Sequence, residues 1–336
     1  MGLRRKHVTI AEVAARAGVS PTTVSHVLSG RRHVAEATRA QVLAVVEELQ
    51  YRPNELARSM VTQRTSTIAL IIPDITNPFY PAVARGLQDV LTPAGYYGIV
   101  CNTDGDPAIE RRTVEQMVHR RVDGIGFAGY YQHQSTVAPA LAAGIPVVLF
   151  GSRDARRGID AVTANDLGGA ESATRYLLDR GYERIGFVTG PAGDGPPALR
   201  VTGYRRALRA AGRRPDPKLV VRAPFSRDGG AAGMAELLAL PRPPRAVLCT
   251  NDVVAIGAMD EARRRGLRIP EDVAVVGFDD IDAASLAYPA LSTVAVPARE
   301  EGRACGRLLL HRLTDEPQQP PQAVSFDCTL VPRDSA

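Results

Sequence analysis

At 336 residues the chain is too long for one ordinary hydrophobic core, so two or three domains are expected. Its apolar fraction of 45% and charged fraction of 23% are those of a globular chain. No apolar run reaches the ~18 residues of a membrane span, and MGLRRKHVTIAEVAARAG lacks the continuous apolar segment of a signal peptide.

Those absences lead us to expect a cytoplasmic protein with no membrane contact. Cys101, Cys249, Cys305 and Cys328 form no C-x-x-C pair and no Cys/His cluster with zinc spacing. Free thiols, no metal site and no cofactor are therefore expected. The net charge of +5 is unevenly placed: residues 1–64 hold ten Lys/Arg and five Glu, while the remainder balances 31 against 31. A basic head on a neutral body suggests that the head binds a polyanion and the body does something else.

In chain order, VTIAEVAARA has the spacing of a short helix, with Ile10, Val13, Ala14 and Ala17 on one face. Thr9 and Glu12 can form its capping box. Gly18 allows a tight turn. Ser20 can cap a second helix whose first residue, Pro21, gives up only an amide without an intrahelical partner. Val24, Val27 and Leu28 point inward and Gly30 ends the helix. A third helix fits Glu36 to Leu49, with Val42, Val45, Val46 and Leu49 buried. The three form an all-α helix-turn-helix head over residues 1–52.

The second helix is expected to enter the major groove of double-stranded DNA. Thr22 can meet a thymine methyl or a base edge, and His26 can donate to guanine N7 or O6. Ser20, Thr23 and Ser25 suit phosphate contacts, which set register. Pro21 sits at the entering end, and Thr9, Arg31 and His33 complete the candidate DNA face.

TIAEVAARAGVSPTTVSHVLSG resembles the headpiece of the LacI/GalR family of bacterial transcription regulators. The following YRPNELARSM resembles that family's hinge, placed here at residues 53–65. The resemblance implies that Asn54 to Met60 fold into a helix on DNA, paired with a second subunit's hinge in the minor groove. Asn54 would be its N-cap, Ala57 would allow close approach and Arg58 would contact DNA. Met60 stands where the family commonly has Leu, and Met is also able to wedge a base step.

From Thr67 the pattern becomes strand–helix alternation: TIALIIP, then an amphipathic helix, YGIVCN, AIERRTVEQMVHRR, GIGFAG, PVVLF, and onward to VAVVGFDD. That spacing implies an α/β body of doubly wound parallel sheets with enough elements for two lobes. Gly124-Ile-Gly126-Phe-Ala-Gly129 matches a dinucleotide fingerprint but follows a helix and lies in a strand, the wrong context. No phosphate loop with Lys-Ser/Thr and no nucleophile–base signature stands out, so an enzyme is not expected.

IIPDITNPFY, RRVDGIGF, CTNDVVAIGAMDEARRRGLRIPEDVAVVGFDD and YPALSTVAVP resemble the periplasmic-binding-protein-like core of the same family. That fold implies one lobe at about 66–164 plus 295–324 and another at about 165–294 plus 325–336, within a body spanning 66–336. An effector would bind between them, at the carboxyl ends of the strands. Phe79 or Tyr80 can stack on a flat sugar or base. By the resemblance, Arg200 reaches the effector, Asp279 accepts from vicinal hydroxyls and Phe225 stacks on it; Asn251 is a candidate polar clamp. Asp252 and Asp280 can equally cap backbone. The chain departs from many sugar-responding members at Gly151-Ser152-Arg153, where they have an Asp, and at Val296-Pro297-Ala298.

The expectation is a homodimeric repressor that binds a palindromic operator under control of a sugar or sugar-derived effector. A purine or nucleoside is the alternative effector. A solute-binding protein of the same fold is disfavoured by the basic head.

Overall fold

The computed structural model describes residues 8–29, 32–51, 64–129, 134–151, 159–193, 195–314 and 320–336. The chain divides into two units between Thr65 and Ser66. Asn54, Ala57, Arg58 and Met60 of the expected hinge lie outside the described residues, as do Gly30, Arg31, Ser152 and Arg153.

In the first unit, α1 (Ile10–Arg16), α2 (Pro21–Ser29) and α3 (Glu36–Glu48) follow the apolar spacing. Both halves of the capping box are made: Thr9 Oγ1 accepts from the Glu12 amide at 3.3 Å, and the Glu12 carboxylate accepts from the Thr9 amide at 2.7 Å. Gly18 takes φ +62° in the turn, in the left-handed region that costs glycine little. Ser20 then caps α2 by accepting from the Thr23 amide at 3.1 Å. Val13, Ala14, Ala17, Val24, Val27, Val42 and Val45 form the buried core. Arg16 pairs with Glu48 at 2.7 Å, joining α1 to the end of α3 on an exposed surface where such a pair adds little.

The second unit opens with β1 (Thr67–Ile72), α4 (Phe79–Leu91), β2 (Tyr97–Asn102), α5 (Pro107–His119) and β3 (Gly124–Phe127). After these come α6 (Gln134–Ala142), β4 (Val147–Phe150) and β5 (Asp160–Ala164). The chain then crosses to α7 (Asp166–Asp179), β6 (Ile185–Thr189), α8 (Pro196–Ala210), β7 (Val220–Arg222), α9 (Arg227–Leu238) and β8 (Ala246–Cys249). α10 (Asp252–Arg264), β9 (Ala274–Val276), α11 (Asp282–Leu286) and β10 (Thr293–Ala295) complete that stretch. α12 (Ala298–Arg312), β11 (Ala323–Phe326) and β12 (Thr329–Val331) finish the chain.

Lobe one is a parallel sheet in the order β11-β5-β4-β3-β1-β2, and lobe two a parallel sheet in the order β7-β6-β8-β9. Each is covered on both faces, as the continuous apolar strands require. In β1, Ile68, Leu70 and Ile72 face the core under α4 and α12, while Ala69 and Ile71 face the one under α5 and α6. In lobe two, Phe187 and Leu248 pack under α7 and α8, and Val188 and Val247 under α9 and α10.

The chain crosses between the lobes after β5, after β10 and after β11. Ala295 bridges Asp279 and Phe326 pairs with Ala164, so the second and third crossings fall slightly later than the expected 294/295 and 324/325. The pairing of these strands, rather than hydropathy, fixes the crossing. The glycine fingerprint at 124–129 is a packing feature. A Cβ on Gly124 would lie 3.0 Å from Ile68 Cδ1 and 3.1 Å from Leu309 Cδ2, and one on Gly126 would lie 3.0 Å from Cys305 Sγ. The glycines let α12 settle against β3.

α4 and α12 interlock through two glycines. A Cβ on Gly86 would collide with the Arg299 carbonyl oxygen, and one on Gly302 with the Val83 carbonyl oxygen. Backbone-to-backbone approach on this seam leaves no room for a methyl group. Gly86→Ala is therefore expected to cost about 1–3 kcal/mol of body stability, read as a lowered urea midpoint. An unchanged midpoint would show that the two helices can separate without cost.

Candidate functional site

The head presents Thr9, Ser20, Pro21, Thr22, Ser25 and His33 on its exposed surface, with Thr23 and His26 half-buried. Three hydroxyls are already occupied. Ser20 Oγ lies 2.9 Å from Thr23 Oγ1 besides capping α2, and Thr9 Oγ1 belongs to the capping box. Their first task is to fix where the helices begin. Among the described side chains, Thr22 and Ser25 are the exposed hydroxyls of α2 outside that cap.

In the body, a cavity of about 730 Å³ opens between the lobes at the carboxyl ends of the strands. All six residues expected to meet an effector line it: Phe79, Tyr80, Arg200, Phe225, Asn251 and Asp279. The first two come from the start of α4, where the Asn77 side chain accepts from the Phe79 amide at 3.1 Å. Their rings meet edge to face at 5.3 Å, a favoured aromatic geometry. Phe79 also packs against cores of both lobes, so its ring is part packing and part cleft wall. The Phe225 ring lies over Gly190, where any side chain would collide with it.

Arg200, on α8, is 9% exposed and organises lobe two's side of the cleft. Its Nε donates to Asp166 Oδ1 at 2.8 Å, its Nη1 donates to the Thr250 carbonyl, and Asp279 Oδ1 lies 3.4 Å from Nη1. The guanidinium also sits 3.7 Å above the Phe278 ring. Asp279 holds φ +103°, in the left-handed region unfavourable to a side-chain-bearing residue. It is held there by its bridge to Ala295.

Asn251 caps α10, its Oδ1 accepting from the Val254 amide at 2.9 Å. The side-chain oxygen is thus committed and the amide NH2 is the group left to serve a ligand. Asp252 is fully buried and accepts from the Ile281 amide at 2.9 Å and Thr293 Oγ1 at 2.5 Å. Asp280 pairs with Arg333 at 2.6 Å. Both second carboxylates hold structure.

Two acidic cleft residues escaped the reading of the sequence. Asp166, at the first position of α7, gives no sign that it meets an arginine 34 residues away. Glu301 on α12 did carry a sign: with Cys305, Leu308 and Leu309 it shares one helical stripe, so a carboxyl stands on an apolar face. It is 4% exposed and lines the cavity beside Phe150 and Gly151.

Burial, opposed by Arg200 and reinforced by Asp166, pushes the Asp279 carboxyl up to about 7. Burial and the neighbouring Asp166 and Asp279 push Glu301 up to about 8.

The comparisons with known proteins agree with this architecture. Residues 9–54 match the model of bacterial regulatory proteins of the lacI family, and residues 174–336 match a periplasmic binding protein-like domain. A ribose operon repressor from Escherichia coli is 37% identical over 329 residues, covering 98% of this chain and 99% of its own. The lac repressor dimer bound to operator and an anti-inducer matches with a TM-score of 0.87 at 25% identity, covering 98% of this chain and 99% of that one. A regulator from Enterococcus faecium with bound ribose matches with a TM-score of 0.71 at 29% identity, covering 80% and 98%.

Stability should depend on pH through these carboxyls. Below the ordinary carboxylic range both folded and unfolded chains hold the protons, and no penalty arises. As pH rises through about 7 and 8 the unfolded chain is already ionised, while Asp279 and Glu301 must give up their protons inside the fold. Glu110, also pushed up by burial to about 7, acts in the same direction. The body's melting temperature is expected to fall from about pH 5 to about pH 9, and Glu301→Gln to flatten the fall. A slope unaltered in Glu301→Gln would place the proton elsewhere.

Proposed function

The chain belongs to the lacI family of bacterial regulatory proteins, and we propose that it represses transcription from an operator of two half-sites, as a homodimer released or engaged by ribose or a closely related sugar. As a member of that family the chain is a DNA-binding transcription regulator with a small-molecule effector, of a family of regulators rather than enzymes. It acts in the cytoplasm, at the nucleoid.

The observation that carries the effector reading is the cleft itself. Stacking rings at Phe79, Tyr80 and Phe225 face the Asp166–Arg200–Asp279 cluster across one cavity. Aromatic faces cover the apolar side of a sugar ring, and carboxylates accept from its hydroxyls. The whole-length relative named for the ribose operon and the E. faecium regulator holding ribose point to the same class. A purine or nucleoside could use the same rings, and remains the second reading because four aromatics, Phe150 among them, line the cavity. A screen of thermal shifts with sugars and nucleosides separates the two, since a ligand that binds only the folded state raises the melting temperature.

On DNA, α2 lies in the major groove with Thr22 and His26 toward base edges. Ser20, Thr23 and Ser25 lie toward the phosphate backbone, and Thr9, Arg31 and His33 complete the DNA face. Asn54, Ala57, Arg58 and Met60 act in the minor groove as the paired hinge. His26→Ala is expected to lose about 1–3 kcal/mol of discrimination at one operator position, measured by gel shift against single-base operator variants. An equal loss on every sequence would assign His26 to phosphate instead.

A further inference from the structure

Among the described residues, lobe two supplies four polar groups to the cleft: Asp166, Arg200, Asn251 and Asp279. Each is engaged with protein: Asp166 with Arg200, Arg200 with Asp166 and the Thr250 carbonyl, Asn251 with its own helix, Asp279 with Arg200. Lobe one differs. Its ionisable carboxyl in the cavity is Glu301, and that side chain has no hydrogen-bond or ion-pair partner among the described residues. Gly302 beside it is wedged against the Val83 carbonyl of α4, so the helix carrying the carboxyl cannot withdraw. A buried carboxyl fixed in place, facing a cavity and bonded to nothing, is waiting for an external partner.

The charges around it restrict that partner. Three carboxyls, Asp166, Asp279 and Glu301, converge on Arg200, which is the one cation lining the cavity among the described residues. Two of its nitrogens are already donating to protein oxygens. An incoming phosphate or carboxylate would meet three acids and a guanidinium whose charge is already partnered by Asp166 and Asp279. A hydroxyl group fits, because a carboxyl can accept from it in either protonation state and donate to it when protonated.

We propose that Glu301 is the lobe-one specificity determinant of the cleft: its carboxyl hydrogen-bonds a hydroxyl of an uncharged sugar and, with Asp166 and Asp279, turns away sugars bearing phosphate or carboxylate. This rests on the reading of the cleft as a sugar site. It also accounts for Gly151, where the family resemblance leads one to expect a carboxylate. Gly151 lines the same cavity as Glu301, so the acid is delivered from α12 rather than from the end of β4.

The test is calorimetric titration of the full chain with D-ribose, D-glucose and adenosine, and with the phosphate ester of each. The wild type is expected to take an uncharged member at least tenfold more tightly than its phosphate. Glu301→Leu restores the apolar stripe, so it is expected to raise the melting temperature of the ligand-free protein. It should also weaken the uncharged ligand at least tenfold and narrow the discrimination against the phosphate. Glu301→Gln, which keeps a donor and an acceptor, should weaken the uncharged ligand less than Glu301→Leu. Binding of the uncharged ligand to Glu301→Leu within twofold of wild type would overturn the proposal. A wild type that takes a phosphate ester and no uncharged member would overturn it too, and leave the regulator reading standing. A wild type that binds no member of the panel would overturn the sugar reading and this proposal together.

Discussion

One buried guanidinium holds lobe two's half of the cleft in shape. Arg200 reaches from α8 to the start of α7 at Asp166, the end of β8 at Thr250 and Asp279, three residues past the end of β9. Four elements far apart in sequence are thereby drawn to one point at the carboxyl edge of a parallel sheet. A charge taken out of water is tolerated only when its partners are close and well aligned, and here they are. The same ion sets the electrostatics of its neighbours. It is one positive charge against three acids, and burial does the rest, so two of the carboxyls hold their protons near neutrality.

Lobe one is built on a different constraint, steric rather than electrostatic. Gly86 and Gly302 let α4 and α12 touch backbone to backbone, and each helix then delivers its cleft residues from a fixed position: Phe79 and Tyr80 from the start of one, Glu301 from the first turn of the other. The glycines of β3 let α12 lie low on the sheet. Small residues at three contacts thus determine the depth at which an apolar wall and one acid face the cavity.

The head was legible almost entirely from sequence, because its signals are local: a capping box, a turn glycine, a proline at the first helical position and an apolar stripe. The strand–helix alternation of the body was equally plain. The six cleft residues were placed by chemistry and resemblance together, and the cavity gathers them. What escaped was which atoms pair with which, over long and short stretches of chain alike. Asp166 becomes a cleft residue only because Arg200 folds back over it, and the Asn251 oxygen turns out to be spent on a helix cap. Thr23 likewise looks free in sequence and bonds the Ser20 hydroxyl in the fold. Glu301 could have been found, since an acid on a stripe with Cys305, Leu308 and Leu309 has to be explained by a partner or a cavity.

The asymmetry between the lobes bears on how a ligand would be felt. Lobe two's polar groups are each anchored to protein without a ligand, so their positions are already set. Lobe one offers rings and an unpartnered acid, whose burial is costly until something bonds to it. A ligand held by lobe two therefore gains its remaining interaction only by drawing in Glu301 and the α4 aromatics. The free energy of that second set of contacts is what distinguishes one lobe arrangement from another, and only such a difference can shift an equilibrium. Linkage then requires that whatever the ligand does to operator affinity, the operator does in equal measure to ligand affinity, typically by ~1–3 kcal/mol.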